Sequence, residues 1–308
     1  MSLSLSLPLR PLRTAVIAAA TGALSVIGFT APATSAPVTT STPAASIPAS
    51  PASAQTAAAP AEVWNPPGNL VQPLDEVWRH VESTYPNLYG FKNYGWDQLM
   101  ANKGTLNYCV RWESDQPVTA QLRDEIHTAL KRQSKKWIDT VAGFDGFPYR
   151  EVPVNIVGWA VKNRSTLQWT DNSVDIYTNN LDGGGAPQCA PDCGRFFHQD
   201  GNYSKCPGGS ARHYDQSLWL TKGFQGGAGG DWGQRIGSEY MVGARNQEDI
   251  HILEHEIGHT YGLDDFYDWS PTGVGGFIMK AGSATRITEF DKWMYRDFWR
   301  HLKSRYGL

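Results

Sequence analysis

The chain has 308 residues, 27 basic and 30 acidic, for a formal net charge of −3, and no basic stretch stands out. That balance excludes a protein built to neutralise a nucleic-acid backbone. Hydrophobic residues make up 41 % of the chain, enough for a packed core, and the four cysteines are an even number.

The N-terminus has the layout of an export signal. Arg10 and Arg13 precede an apolar run from Ala15 to Phe29, and the small residues Ala31, Ala33 and Ala36 follow. Thr21, Gly22, Ser25 and Gly28 interrupt that run, which is shorter than the roughly 18 apolar residues of a membrane-spanning helix. Residues 1–33 therefore read as a signal peptide, and removing Arg10 and Arg13 takes the formal charge from −3 to −5. Residues 34–61 are almost entirely Ala, Pro, Ser and Thr, a composition with no core formers that reads as a disordered linker. Residues 62–308 are expected to form one domain of about 250 residues, secreted and extracellular, monomeric, with no stable membrane insertion and no nucleic-acid partner. In an oxidising compartment Cys109, Cys189, Cys193 and Cys206 read as two disulfides, with three pairings open. A zinc knuckle from Cys189, Cys193, Cys206 and His198 is the competing reading.

Along the domain, Leu74, Val77, Trp78 and Val81 share one side of a helix over Pro73–Thr84, which belongs either to the domain or to a short pro-segment. Thr105–Trp112 reads as a strand. Thr119 then opens a long helix to about Val141, with Leu122, Ile126, Ala129 and Leu130 recurring at helical spacing. Val152–Val161, Val174–Thr178 and Ser217–Thr221 read as strands. The glycine-rich stretch Gly223–Gly233 lacks the Lys-Ser/Thr of a phosphate-binding loop and reads as a flexible loop beside a cleft. Asn246 and Asp249 suit a capping box ahead of a helix whose apolar side carries Ile250, Leu253, Ile257 and Tyr261. Thr288 and Asp291 suit the start of an amphipathic C-terminal helix running from Ile287 to Tyr306.

The chemistry concentrates in His255-Glu256-Ile257-Gly258-His259-Thr260-Tyr261-Gly262-Leu263-Asp264-Asp265. Histidines four apart on a helix stand one above the other, so both can reach one metal ion. Glu256 lies off that row but close enough to hold a water molecule. Gly262 suits a left-handed helix end that turns the chain back, and Asp265 can then offer a third ligand. Met279 follows twenty residues after His259, in the small apolar turn Gly276-Phe277-Ile278-Met279-Lys280-Ala281-Gly282.

Over roughly 246–282 the chain resembles the metzincins, zinc peptidases with an extended His-Glu-x-x-His-x-x-Gly-x-x-His/Asp motif and a later methionine turn. With aspartate as the last motif residue it looks most like the small secreted neutral proteases of the snapalysin type. The resemblance implies an α+β zincin fold: a mixed β-sheet, a long backing helix, an active-site helix and a C-terminal helix. It implies Zn²⁺ on His255, His259 and Asp265, Glu256 as general base, Met279 in the methionine turn, and hydrolysis of extracellular protein or peptide. Substrate in that family lies extended along an edge strand, for which Ser217–Thr221 is the candidate. Two imidazoles and one carboxylate leave the ion at about +1, so bound water is acidified less than by three histidines. Many members carry a tyrosine two residues after the methionine, and here that position is Ala281.

Other assignments compete. Asp264, Asp268 and Glu289 are alternative third ligands, and His251 extends the histidine row one turn too early. Twelve tryptophans admit carbohydrate binding by exposed rings, as well as the plainer role of filling a core. A catalytically weak cell-wall-binding protein and a zinc amidase acting on a non-protein substrate are the alternatives to an endopeptidase.

Overall fold

Eight strands and six helices form an α+β fold in the computed structural model, which describes residues 62–308. The expected signal peptide, 1–33, and linker, 34–61, lie outside the described residues. In chain order the elements are α1 (Gly68–Thr84), α2 (Gly95–Ala101), β1 (Leu106–Glu113), β2 (Val118–Thr119), α3 (Ala120–Val141), β3 (Val154–Val161), β4 (Leu167–Gln168) and β5 (Asp175–Thr178). They continue with β6 (Gln216–Thr221), β7 (Gly227–Gly230), β8 (Gly233–Gly237), α4 (Ser238–Ala244), α5 (His251–Thr260) and α6 (Glu289–Leu302). A six-stranded sheet has the order β5-β3-β1-β6-β8-β7, with every neighbouring pair parallel except β7–β8. The short β2 and β4 pair separately.

Parallel strands buried on both faces read as continuous apolar runs, and β3 does so from Ile156 to Val161, whereas β1 is buried along most of its length but carries Asn107 and Arg111. Tyr108, Val110 and Trp112 of β1 and Leu218 and Leu220 of β6 enter the main core with the helices. Cys109 of β1 and Val157 and Ala160 of β3 enter a second cluster with Cys189, Cys193, Tyr203, Cys206 and Tyr214. That cluster is pinned by the disulfides Cys109–Cys189 and Cys193–Cys206, which leave no thiolates for a zinc knuckle. His198 instead stands 3.6 Å from Asp192.

The long backing helix follows its sequence signals. Thr119 Oγ1 accepts the Leu122 N–H, and Ile126, Ala129, Leu130, Trp137, Ile138 and Val141 are buried on one side of α3. Trp137 donates its indole N–H to the Glu254 carbonyl at 2.8 Å, tying α3 to α5. Truncating this fully buried ring to alanine costs about 3–5 kcal/mol. At α6 the capping box of Thr288 and Asp291 forms. The helix is shorter than its apolar pattern, ending at Leu302 in a 3₁₀ turn over Lys303–Tyr306.

The N-terminal region shares this core. α1 starts five residues before the expected Pro73, and Leu74, Val77, Trp78, Val81, Trp96 and Leu99 pack with the rest. Trp96 donates to the Tyr261 carbonyl at 3.0 Å, at the end of α5. Eight of the twelve tryptophans are buried and Trp64 and Trp269 pack against the core, while Trp219 and Trp232 are half-buried outside it.

Two expectations are overturned. Ser217–Thr221 is no edge strand: β6 runs between β1 and β8, and the edges are β5 and β7, the second formed by the glycine stretch read as a loop. Strand propensity marks a segment as pleated but carries no information about its neighbours in the sheet. The Asn246–Asp249 cap also does not form. α5 begins at His251 after Ile250, with no side-chain cap of its own. Gln133 on α3 accepts the Ile250 N–H at 3.3 Å, and Asp249 is held instead by Lys136. A side chain from another helix has replaced the local one.

Candidate functional site

α5 carries His255, Glu256 and His259 under the β7 edge. The helix ends in a Schellman motif: Gly262, at φ 102°, donates to the His259 carbonyl at 3.0 Å, and Leu263 donates to the Gly258 carbonyl at 3.3 Å. A Cβ at Gly262 would stand 2.5 Å from the Phe298 ring, so the turn requires glycine for space as well as for φ. The reversal brings Asp265 back over the histidines.

Three donor atoms converge. The Nε2 atoms of His255 and His259 are 3.1 Å apart, and Asp265 Oδ1 lies 3.1 Å from the first and 3.4 Å from the second. Each imidazole is oriented through its other nitrogen, His255 Nδ1 to the Ile278 carbonyl and His259 Nδ1 to the Leu263 carbonyl, both at 2.8 Å. Those contacts make Nδ1 the donor and turn the Nε2 lone pairs to a common point. A tetrahedral ion with bonds of about 2.0–2.1 Å places its ligand atoms about 3.3 Å apart, so this triangle fits such an ion.

The electrostatics also call for positive charge at that point. Burial opposes ionisation of Asp265, yet hydrogen bonds and charge from the two imidazoles hold its carboxyl far below the usual range. Burial likewise disfavours the His259 imidazolium, but Asp265 and Glu256 carry it up to about 10. A proton or a metal cation satisfies the set, and metal binding would expel the proton.

Glu256 stands one step further out, with carboxylate oxygens 4.0 Å from His255 Nε2 and 3.7 Å from His259 Nε2. It is 1 % exposed, and Oε1 has no hydrogen-bond partner. Burial, opposed by the two imidazoles, pushes its pKa up. A buried carboxylate of raised basicity beside a cation-binding point is suited to take a proton from water. The glycines of β7 make this burial possible. A Cβ at Gly227 would lie 2.0 Å from Glu256 Oε1, and one at Gly229 would lie 2.3 Å from the Glu256 carbonyl.

The remaining candidates separate clearly. Met279 is fully buried beneath α5, its sulfur 2.4 Å from where a Cβ on Gly258 would be. Asp264 is taken by the Tyr85 hydroxyl at 2.7 Å and by the Asp265 N–H at 3.0 Å, so it faces away from the histidines. Glu289 accepts the Trp293 indole N–H at 2.7 Å and pairs with Lys292 at 3.5 Å. His251 pairs with Tyr240 at 3.0 Å.

Sequence reasoning missed Tyr267. Burial, then the neighbouring Asp265 and Glu256, raise the pKa of its hydroxyl. The ring is 44 % exposed, so it lines the open side of the site. The available signal was a tyrosine two residues beyond the third candidate ligand. Among the described residues no helix is long and apolar enough to cross a membrane. The sequence matches no protein-family model and no curated protein.

Proposed function

We propose that this chain is a secreted, zinc-dependent endopeptidase of the metzincin type acting on extracellular protein or peptide. The observation that carries the reading is the triangle of His255 Nε2, His259 Nε2 and Asp265 Oδ1, with both Nδ1 atoms tied to backbone carbonyls and the Glu256 carboxylate about 4 Å away. His255, His259 and Asp265 would hold the zinc, which when bound polarises a carbonyl and acidifies water. Glu256 takes the proton from the attacking water and returns it to the leaving amine. Tyr267 presents its hydroxyl on the open side, where a donor can stabilise charge on the scissile oxygen. Among the described residues β7 has a strand partner on one side only, so an extended peptide can add to its other edge by main-chain hydrogen bonds. The mixed sheet, the long α3 and the methionine beneath α5 support the metzincin assignment.

The test is cleavage of casein or a peptide library by the secreted chain, with and without chelator, beside Glu256→Gln. One zinc per chain, cleavage abolished by chelation, and Glu256→Gln retaining zinc while losing cleavage are expected. Zinc binding with no cleavage of any peptide would overturn the peptidase reading and favour an amide outside proteins. Loss of zinc in Asp265→Ala, with none lost in Glu289→Ala, checks the ligand set.

A further inference from the structure

Asp291 is fully buried at the third position of α6, where burial pushes its pKa up and hydrogen bonds from Thr288, Ile278 and Met279 oppose that rise. Its Oδ2 accepts the Ile278 N–H at 2.8 Å, the Thr288 N–H at 2.8 Å and the Thr288 hydroxyl at 2.6 Å. Its Oδ1 accepts the Met279 N–H at 3.2 Å. Three of these partners are backbone N–H groups, obligate donors that a carboxylate answers. The capping box accounts for Thr288. It does not account for Ile278 and Met279, which belong to the methionine turn more than ten residues earlier.

The Ile278–Met279 peptide has a second contact. Its N–H donates to Asp291 Oδ1, and its carbonyl accepts His255 Nδ1–H at 2.8 Å. A carboxylate, one peptide unit and an imidazole thus form a single hydrogen-bonded chain. An anion on the N–H side polarises a peptide and makes its carbonyl a stronger acceptor. A stronger acceptor at Nδ1 makes Nε2 a better donor to a cation. His259 Nδ1 meets the Leu263 carbonyl at the same 2.8 Å, on a peptide that is not among the partners of Asp291.

We infer that Asp291 is a positioning residue for the metal site, acting on His255 and not on His259 through the Ile278–Met279 peptide. This rests on the metal-hydrolase reading for its consequence, but the hydrogen-bonded chain itself can be read in metal-free protein. Before any metal is added, NMR of the Nδ1–H protons follows each histidine against its own wild-type position. In Asp291→Asn the His255 signal should move upfield and the His259 signal stay. Zinc affinity, measured by chelator competition, should fall about 10–100-fold. Thr288→Val disrupts the same cap without touching the Met279 contact, and should lower thermal stability while leaving both signals and zinc affinity unchanged. Asp291→Ser, which admits water to the amides, serves if the asparagine variant does not fold.

The inference is overturned if the His255 signal in Asp291→Asn stays at its wild-type position. It is also overturned if the Asp291 variants lose stability as Thr288→Val does while zinc affinity stays within about twofold. A His255 signal that moves in Asp291→Asn, in a protein that binds no zinc, would refute the metal-hydrolase reading and leave the chain from Asp291 to His255 standing.

Discussion

Adding one methyl group to β7 should separate catalysis from stability. At Gly227 an alanine Cβ would meet Glu256 Oε1 at 2.0 Å, Cδ at 2.6 Å and Cγ at 2.7 Å. All three atoms are on a side chain that can pivot, and the carboxylate must withdraw by roughly 1 Å to reach ordinary contact. Such displacement of a reacting group costs on the order of 100-fold in rate, or about 2.7 kcal/mol in the barrier. The folding cost is at the low end of overpacking, about 1 kcal/mol, and is offset by up to about 1 kcal/mol from restricting the unfolded chain.

At Gly229 the same methyl meets backbone instead, the Glu256 carbonyl oxygen at 2.3 Å and its carbon at 3.0 Å. The strand must lift off the helix there, at about 3 kcal/mol, or roughly 6–12 °C in Tm for a domain of this size. The assay is peptide turnover, zinc content and thermal unfolding for both variants. Gly227→Ala should keep its zinc and its Tm to within about 3 °C while losing about 100-fold in kcat. Wild-type kcat in that variant, or equal Tm losses in the two, would refute the argument that β7 seats Glu256 by close backbone approach.

Three further outcomes are expected. Tyr267→Phe should retain one zinc per chain and nearly the wild-type KM while kcat falls about 100-fold, because the lost hydroxyl acts only on developing charge. In urea unfolding, replacing both cysteines of the Cys193–Cys206 pair by serine should cost about 3 kcal/mol, and of the Cys109–Cys189 pair about 4.5 kcal/mol, since the longer loop costs more to close. The spans behind that ranking are 13 and 80 residues, and a reversed order would refute it. For His213, burial opposes the charged ring, but Asp215 at 3.6 Å raises its pKa above the ordinary value. Its contribution is therefore complete below about pH 6.5 and lost as pH rises through the raised value. The stability gap between wild type and His213→Asn should shrink as pH rises above about 6, and a gap that widened would show the opposite sign.

The features legible in the sequence were those whose geometry is local. Four residues make one helical turn, so the alignment of His255 with His259 follows from spacing alone. Gly262 marked the helix end because only a positive φ closes that turn, and Thr119 and Thr288 marked helix starts through bonds reaching three residues ahead. The apolar periodicity of α3 and the valine-rich β3 were visible for the same reason. Where a distant group replaced a local one the reading failed. Asn246 lost its cap to Gln133, which is 117 positions away from the Ile250 N–H it accepts.

The sequence by itself determined which side chains could meet a metal ion, because their register on one helix is a property of the backbone. The tertiary structure decided what surrounds them. It placed the glycine edge over Glu256, turned Asp264 to Tyr85 and Asp265 to the histidines, brought Tyr267 to the open side, and set Asp291 beneath the Ile278–Met279 peptide. Each of these is settled by packing between segments far apart or folded back on themselves. Helical and strand periodicities record which face of an element is buried, but not what it is buried against.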